Sequence, residues 1–145
     1  RKTKHRQFVY NRTKGKKFYM ILFDTNVIID MLNNENDNRW NYLSQEECVI
    51  CGVVISELYS GIKNKKELKA VELFVNSLDC LSIENEDWKK IGELIYNLKK
   101  KGISVPFQDA ILGYLSIKHS CKILTNDKHF SMMQSIDNRI SLCKF

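Results

Sequence analysis

Short apolar runs alternate along this chain with longer stretches whose apolar residues fall three and four apart, and that alternation leaves few folds open. Residues 19–23, 48–51, 80–83, 122–125 and 140–143 read as strands. Helical periods begin at 27–32 and 56–61 and recur over 65–78, where Leu68, Val71, Phe74, Val75 and Leu78 share one face. Trp88, Ile91, Leu94, Ile95 and Leu98 mark the next, closed by the basic turn Lys99-Lys100-Lys101 and a stop at Gly102. Pro106 suits the first turn of another, which continues through Phe107, Ile111, Tyr114 and Leu115. Strands separated by helices of that length are joined by right-handed crossovers, which align the strands in parallel and cover both sheet faces. The expected fold is therefore α/β: a three-layer α/β/α sandwich around a mainly parallel sheet. In such sheets ligands bind beyond the carboxyl ends of the strands.

Composition supports one domain of this kind. The 145 residues suffice for a single core, and one Pro and six Gly exclude collagen-like and low-complexity chains. The longest apolar run, at 48–55, is far short of the ~20 residues that span a bilayer. The basic start leads into only six apolar residues, 18–23, before Asp24, so a secretory signal is not expected. Cys48, Cys51, Cys80, Cys121 and Cys143 are odd in number, and Cys48-Val-Ile-Cys51 has no second pair at zinc spacing. They read as buried free thiols in a reducing, cytoplasmic protein. The formal charge of +6 is uneven: residues 1–19 hold eight of the 23 Lys and Arg and no Asp or Glu. The remainder, with 15 basic and 17 acidic residues, is slightly acidic. Residues 1–19 are a basic extension, either an arm for phosphate contact or sequence upstream of a natural start at Met20.

Carboxylates stand where the strand-end rule directs attention. Asp24 follows the strand at 19–23, Asp127 follows the one at 122–125, Asp109 lies just after Pro106, and Glu57 falls early in the helix after 48–51. Asp109 and Glu57 are embedded in apolar sequence, where a buried charge needs a partner or an ion. Several carboxylates together repel, and a hard divalent cation relieves that; oxygen ligands suit Mg²⁺ or Mn²⁺ rather than zinc. Each residue also has an ordinary use: Asp24 as a helix cap, Glu57 and Asp109 as first-turn charges, and Asp127 as a turn residue.

Four segments in order make the chain recognisable: Met20-Ile-Leu-Phe-Asp24-Thr-Asn-Val-Ile-Ile-Asp30, Ile55-Ser-Glu57-Leu-Tyr-Ser-Gly61, Gly102-Ile-Ser-Val-Pro-Phe-Gln-Asp109-Ala-Ile-Leu, and Ile123-Leu-Thr125-Asn-Asp127-Lys-His129-Phe130. The sequence resembles the PIN-domain ribonucleases of the VapC type, toxins of toxin–antitoxin pairs. The resemblance spans 20–130 and begins at Met20, so it divides the chain into the extension 1–19 and a PIN-like nuclease domain 20–145. It implies a catalytic, metal-binding quartet at Asp24, Glu57, Asp109 and Asp127 that holds Mg²⁺ or Mn²⁺ and activates water to cleave RNA phosphodiester bonds. It also implies a homodimer silenced by a cognate antitoxin. The apolar stretches 27–32 and 54–62 suit that contact and suit core packing equally well.

Asn26 and Thr125 have two readings of equal weight: positioning the neighbouring carboxylates by hydrogen bonds, or local capping beside a helix start. His129 reads as a packing or capping residue ahead of a phosphate contact. Lys63, Lys65, Lys66 and Lys69 read as a solvated face ahead of an RNA path. Trp40, Tyr42, Tyr59 and Tyr114 read as packing ahead of base stacking. Two other functions compete. One is a catalytically silent PIN fold that binds nucleic acid or protein. The other is an aspartyl phosphohydrolase built on Asp24, for which the acid/base Asp two residues on is replaced by Asn26.

Overall fold

The computed structural model describes residues 19–144; the basic extension lies outside the described residues except for Tyr19. Its elements are β1 (Met20–Phe23), α1 (Thr25–Asn33), α2 (Trp40–Gln45), β2 (Glu47–Cys51), α3 (Gly52–Ser60), α4 (Lys65–Ser77), β3 (Asp79–Leu81), α5 (Asp87–Lys100), α6 (Phe107–His119), β4 (Lys122–Leu124), α7 (His129–Ile136) and β5 (Ser141–Leu142). The five strands form one sheet in the order β3-β2-β1-β4-β5, and every neighbouring pair is parallel. Helices α1, α3 and α4 pack together as one layer and α5, α6 and α7 as the other. The expected three-layer sandwich is what the chain forms.

The sheet sits where the sequence is most apolar. Ile21, Leu22 and Phe23 of β1 are all buried, as are Val49, Ile50 and Cys51 of β2, because helices cover both faces of a parallel sheet. The edge strands are shorter and more polar: β3 is exposed along most of its length and β5 has two residues. From β1 the chain winds outward through β2 to β3, then crosses back to lay β4 against the other side of β1. The β1/β4 boundary is thus the switch point, where the connections diverge and leave a crevice at the carboxyl ends. The backbone N–H of Asp24 donates to the carbonyl of Leu124 at 3.0 Å, so these two strand ends meet at that crevice.

Several elements depart from the sequence reading. Helix α3 starts at Gly52, directly after β2, although Val53-Val54-Ile55 is β-branched and was expected to precede a helix over 56–61. Burial of Val54 and Leu58 on one face outweighs the small helical penalty of β-branching. Helices α2 and α7 were not expected at all. Trp40 packs edge-on against Phe74 and its indole N–H donates to the carbonyl of Asn34, so a six-residue helix is held by tertiary contact rather than by periodicity.

The stop after α5 is the expected one. Gly102 has φ +81°, its N–H donates to the Lys99 carbonyl at 3.0 Å, and the Ile103 N–H donates to the Leu98 carbonyl at 2.9 Å. These two bonds close a Schellman turn that requires a left-handed residue. Gly102→Ala is expected to destabilise the protein by about 1–2 kcal/mol, the cost of a Cβ in that region. Chemical denaturation would show it as a lower midpoint with an unchanged slope.

Candidate functional site

The crevice at the switch point is lined from three elements. Asp24 directly follows β1 and is only 8% exposed. It caps α1, one carboxylate oxygen accepting the Thr25 N–H at 2.8 Å, while the other accepts the hydroxyl of Thr125 at 2.7 Å. Thr125 follows β4, and its oxygen in turn accepts the backbone N–H of Asp127 at 2.9 Å. A single hydroxyl therefore fixes Asp24 and the Asp127 loop relative to each other. Asp109 arrives from a different direction: it lies in the first turn of α6, buried, with Pro106 as the residue that caps the helix. A carboxylate suits that turn because the helix N-terminus is positive.

His129 closes the arrangement. Its Nδ1 lies 2.9 Å from an Asp109 oxygen and 3.1 Å from an Asp127 oxygen, and its backbone N–H donates to that same Asp127 oxygen at 2.9 Å. The expectation that His129 packs or caps is corrected: its ring bridges two carboxylates, one from α6 and one from the loop between β4 and α7. Asp109, Asp127 and His129 each offer one donor atom within 4.8 Å of the others.

Glu57 stands apart from this trio. Because α3 begins early, Glu57 lies in its second turn, on an exposed part of the helix, and reaches the site through Thr25, whose hydroxyl donates to it at 3.2 Å. Thr125 orients a carboxylate as expected. Asn26 does not: its side-chain oxygen accepts the backbone N–H of Asn126 at 3.4 Å, so it steadies the β4–α7 loop. Asn126 is held further by Asp30, to which its amide donates at 2.7 Å, and by Arg39, which donates to its side-chain oxygen at 3.2 Å. Arg39 also forks onto Asp37, whose carboxyl these hydrogen bonds hold down at about 2. The Asp30–Arg39–Asn126 clamp went unforeseen, since its members are scattered over the chain and no spacing links them.

The electrostatics follow from burial. Desolvation raises the Asp24 carboxyl above its ordinary value; hydrogen bonds from Thr125 and Thr25 pull it back, and the nearby Asp127 adds to the rise. Asp109 is also raised, by burial first, against the His129 hydrogen bond, with Asp127 and Asp24 pushing the same way as burial. These three carboxylates thus feel one another, as the sequence reading anticipated from repulsion alone.

The remaining residues singled out earlier resolve into structure. Lys63, Lys65, Lys66 and Lys69 are exposed at the start of α4 and before it. Tyr114 is buried and donates to Asp87, Trp40 and Tyr42 pack against the core, and Tyr59 is exposed. Within 27–32 and 54–62 most apolar side chains serve the core, with Ile29 and Tyr59 left outward. Cys48 and Cys51 are three apart on one strand and so face opposite ways. All five thiols are free; Cys80 is exposed, and burial pushes Cys48 and Cys121 up to about 12 and Cys51 and Cys143 to about 11. No helix among the described residues is long and apolar enough to cross a membrane.

A doubly wound parallel sheet with an acidic centre at its switch point defines the class of domain. The particular family is equally plain: the chain belongs to the PIN domain family, whose model matches residues 21–135. Ribonuclease VapC2 of Rickettsia felis is 22% identical over 124 residues, a match covering 79% of this chain and 92% of that protein. The fold is shared with a chain of VapBC2 from Rickettsia felis, solved bound to a DNA fragment from its promoter. There the TM-score is 0.73 at 19% identity, over 86% of this chain and 97% of that one. DNA-bound VapBC from Salmonella typhimurium gives 0.71 at 22% identity, over 87% and 98%.

Proposed function

We propose that this protein is a metal-dependent endoribonuclease, the toxin of a toxin–antitoxin pair, with Asp24, Glu57, Asp109 and Asp127 as its catalytic, metal-holding residues. The observation that carries the reading is the convergence of Asp24, Asp109 and Asp127 at the switch point through Thr125 and His129. Buried carboxylates that repel one another and sit above their ordinary pKa are a donor set that Mg²⁺ or Mn²⁺ fits, since such a cation offsets both the repulsion and the desolvation. A bound divalent ion supplies Lewis-acid polarisation of a phosphate oxygen and a water activated near neutral pH.

The protein's own part is positioning. Thr125 and the N–H of Thr25 saturate Asp24 on its inner side and fix the direction of its remaining lone pairs. Asp109 and Asp127 face each other across His129, and the exposed Glu57, steadied by Thr25, stands at the rim to orient a water or hold a second ion. Asn126 and its clamp keep the Asp127 loop from drifting, a displacement that matters because misplacement by about 1 Å can cost 100-fold in rate.

The relatives from Rickettsia felis and Salmonella typhimurium are named as VapBC proteins, and by that likeness we assign this chain a cognate antitoxin. A homodimeric form is proposed from the family resemblance, and a reducing, cytoplasmic setting from the five free thiols. Ile29 and Tyr59 are the apolar side chains of 27–32 and 54–62 open to such a partner. The deciding assay incubates the purified full chain with total RNA and Mn²⁺, with and without chelator. Discrete fragments that disappear with chelator are expected. Cleavage that persists in chelator, or tight RNA binding with no turnover in a folded preparation, would overturn the assignment.

A further inference from the structure

We propose that His129 is a nitrogen ligand of the metal centre and sets its preference among divalent ions, favouring Mn²⁺ and Co²⁺ over Mg²⁺. The inference rests on reading the acidic centre as a metal site, but not on any nuclease activity. Its basis is the placement of Nδ1, 2.9 Å from Asp109 and 3.1 Å from Asp127, with the three donor atoms within 4.8 Å of one another. Atoms that close can contact a single ion.

The ring is also held there by the fold rather than left to wander. His129 is the first residue of α7, its N–H is tied to Asp127, and the next residue, Phe130, is fully buried and anchors the helix start. The side chain is 32% exposed, so the ring stands at the edge of the centre and is not sealed in the core.

The chemistry of the donor then decides the metal. Mg²⁺ seeks a near-octahedral oxygen shell and keeps its waters, gaining little from imidazole. Mn²⁺ and Co²⁺ accept an imidazole nitrogen beside carboxylate oxygens, and Co²⁺ lies above Mn²⁺ in the affinity order of such sites. One nitrogen among oxygen donors therefore separates ions that the carboxylates alone hold more evenly.

The test is metal binding by the full chain, followed as melting-temperature shifts in separate titrations with Mg²⁺, Mn²⁺ and Co²⁺ for wild type, His129→Ala and His129→Gln. Wild type is expected to half-saturate with Mn²⁺ and Co²⁺ at much lower concentration than with Mg²⁺. His129→Ala should raise the Mn²⁺ and Co²⁺ midpoints by about 10-fold or more and leave that of Mg²⁺ little changed. His129→Gln, which restores an oxygen donor, should bind Mg²⁺ but not recover the preference. Pulsed electron paramagnetic resonance of the Mn²⁺-loaded wild type should show nitrogen modulation that His129→Ala removes. The proposal falls if that modulation is absent, or if His129→Ala binds Mn²⁺ equally or more tightly, which would make the histidine a competitor for the ion's place. No response to any ion would remove the metal centre along with it. Nitrogen coordination in a protein that cleaves no RNA would uphold this proposal and remove only the nuclease reading.

Discussion

Asp109→Asn is expected to reduce Mn²⁺-dependent RNA cleavage by about 100-fold or more while raising the melting temperature of the metal-free protein. The two effects have one origin. Asp109 is buried, and burial, with Asp127 and Asp24 near it, raises its carboxyl above the ordinary value despite the hydrogen bond from His129. A carboxyl with a raised folded-state pKa stabilises the fold most when protonated, below the unfolded value of about 4. That stability is lost as pH rises through the folded value. The charged forms of Asp109 and Asp24 are therefore what the fold disfavours without an ion, and Asn removes one such group at almost constant volume. Metal reverses the sign. An ion bound only to the folded state at 100 times its dissociation constant adds about 2.7 kcal/mol, a rise of several degrees that the variant should largely lack. Thermal melts of both proteins with and without Mn²⁺ check this directly. If the variant melts lower without metal and the wild type gains nothing with it, the carboxylates do not share an ion.

Much of this site was legible because two of its residues interrupt apolar runs. Ile21-Leu22-Phe23 and Ile123-Leu124 read as buried strands, and the polar residues that end them, Asp24 and Thr125 onward, fall at the sheet edge where the topology puts a crevice. Asp109 was legible through Pro106, which marks a helix start and so the direction from which the carboxylate enters. Glu57 was placed less well, because Val53-Val54-Ile55 hides the true start of α3 and shifts Glu57 into its second turn. His129 was undervalued because a lone histidine has no periodicity to judge it by, and Asp109 lies 20 residues away. A local signal did exist. Asp127 and His129 straddle a helix start two residues apart, the spacing at which an Asp side chain accepts the later backbone N–H and turns both side chains to one side. Asn26 shows the reverse error: its position beside Asp24 suggested a carboxylate partner, but the fold gives it to the Asn126 backbone across the sheet edge.

The second large effect lies away from the crevice, at a charge the site does not use. Asp87, 1% exposed at the start of α5, accepts hydrogen bonds from Tyr114 at 2.5 Å, from Lys118 at 2.6 Å and from the N–H of Glu84 at 2.8 Å. Burial alone would raise its carboxyl, but these donors outweigh burial and hold it far below the usual carboxylate range. Burial first, and then the contact with Asp87, pushes the Tyr114 hydroxyl up to about 12. This node fastens α5 antiparallel to α6, since the first residue of one is bound to the second half of the other. Asp87→Ala leaves a buried hydroxyl and a half-buried ammonium without their acceptor, a loss of about 3–5 kcal/mol. In a chain of this size that is a fall of roughly 10 to 20 °C in melting temperature. The pH dependence runs opposite to that of Asp109: the contribution is complete above about 4 and is lost as pH falls through the depressed folded value, so wild type and variant should converge in acid. Lys118 lies about 13 Å along α6 from Asp109, too far to disturb the crevice, so the variant should keep its Mn²⁺-induced rise from its lowered baseline. A melt that drops by only a degree or two would mean that the α5–α6 seam is held by Ile91, Leu94 and Leu98 alone. Loss of the Mn²⁺ response in a folded Asp87→Ala protein would mean instead that this seam positions Asp109 across the length of the helix.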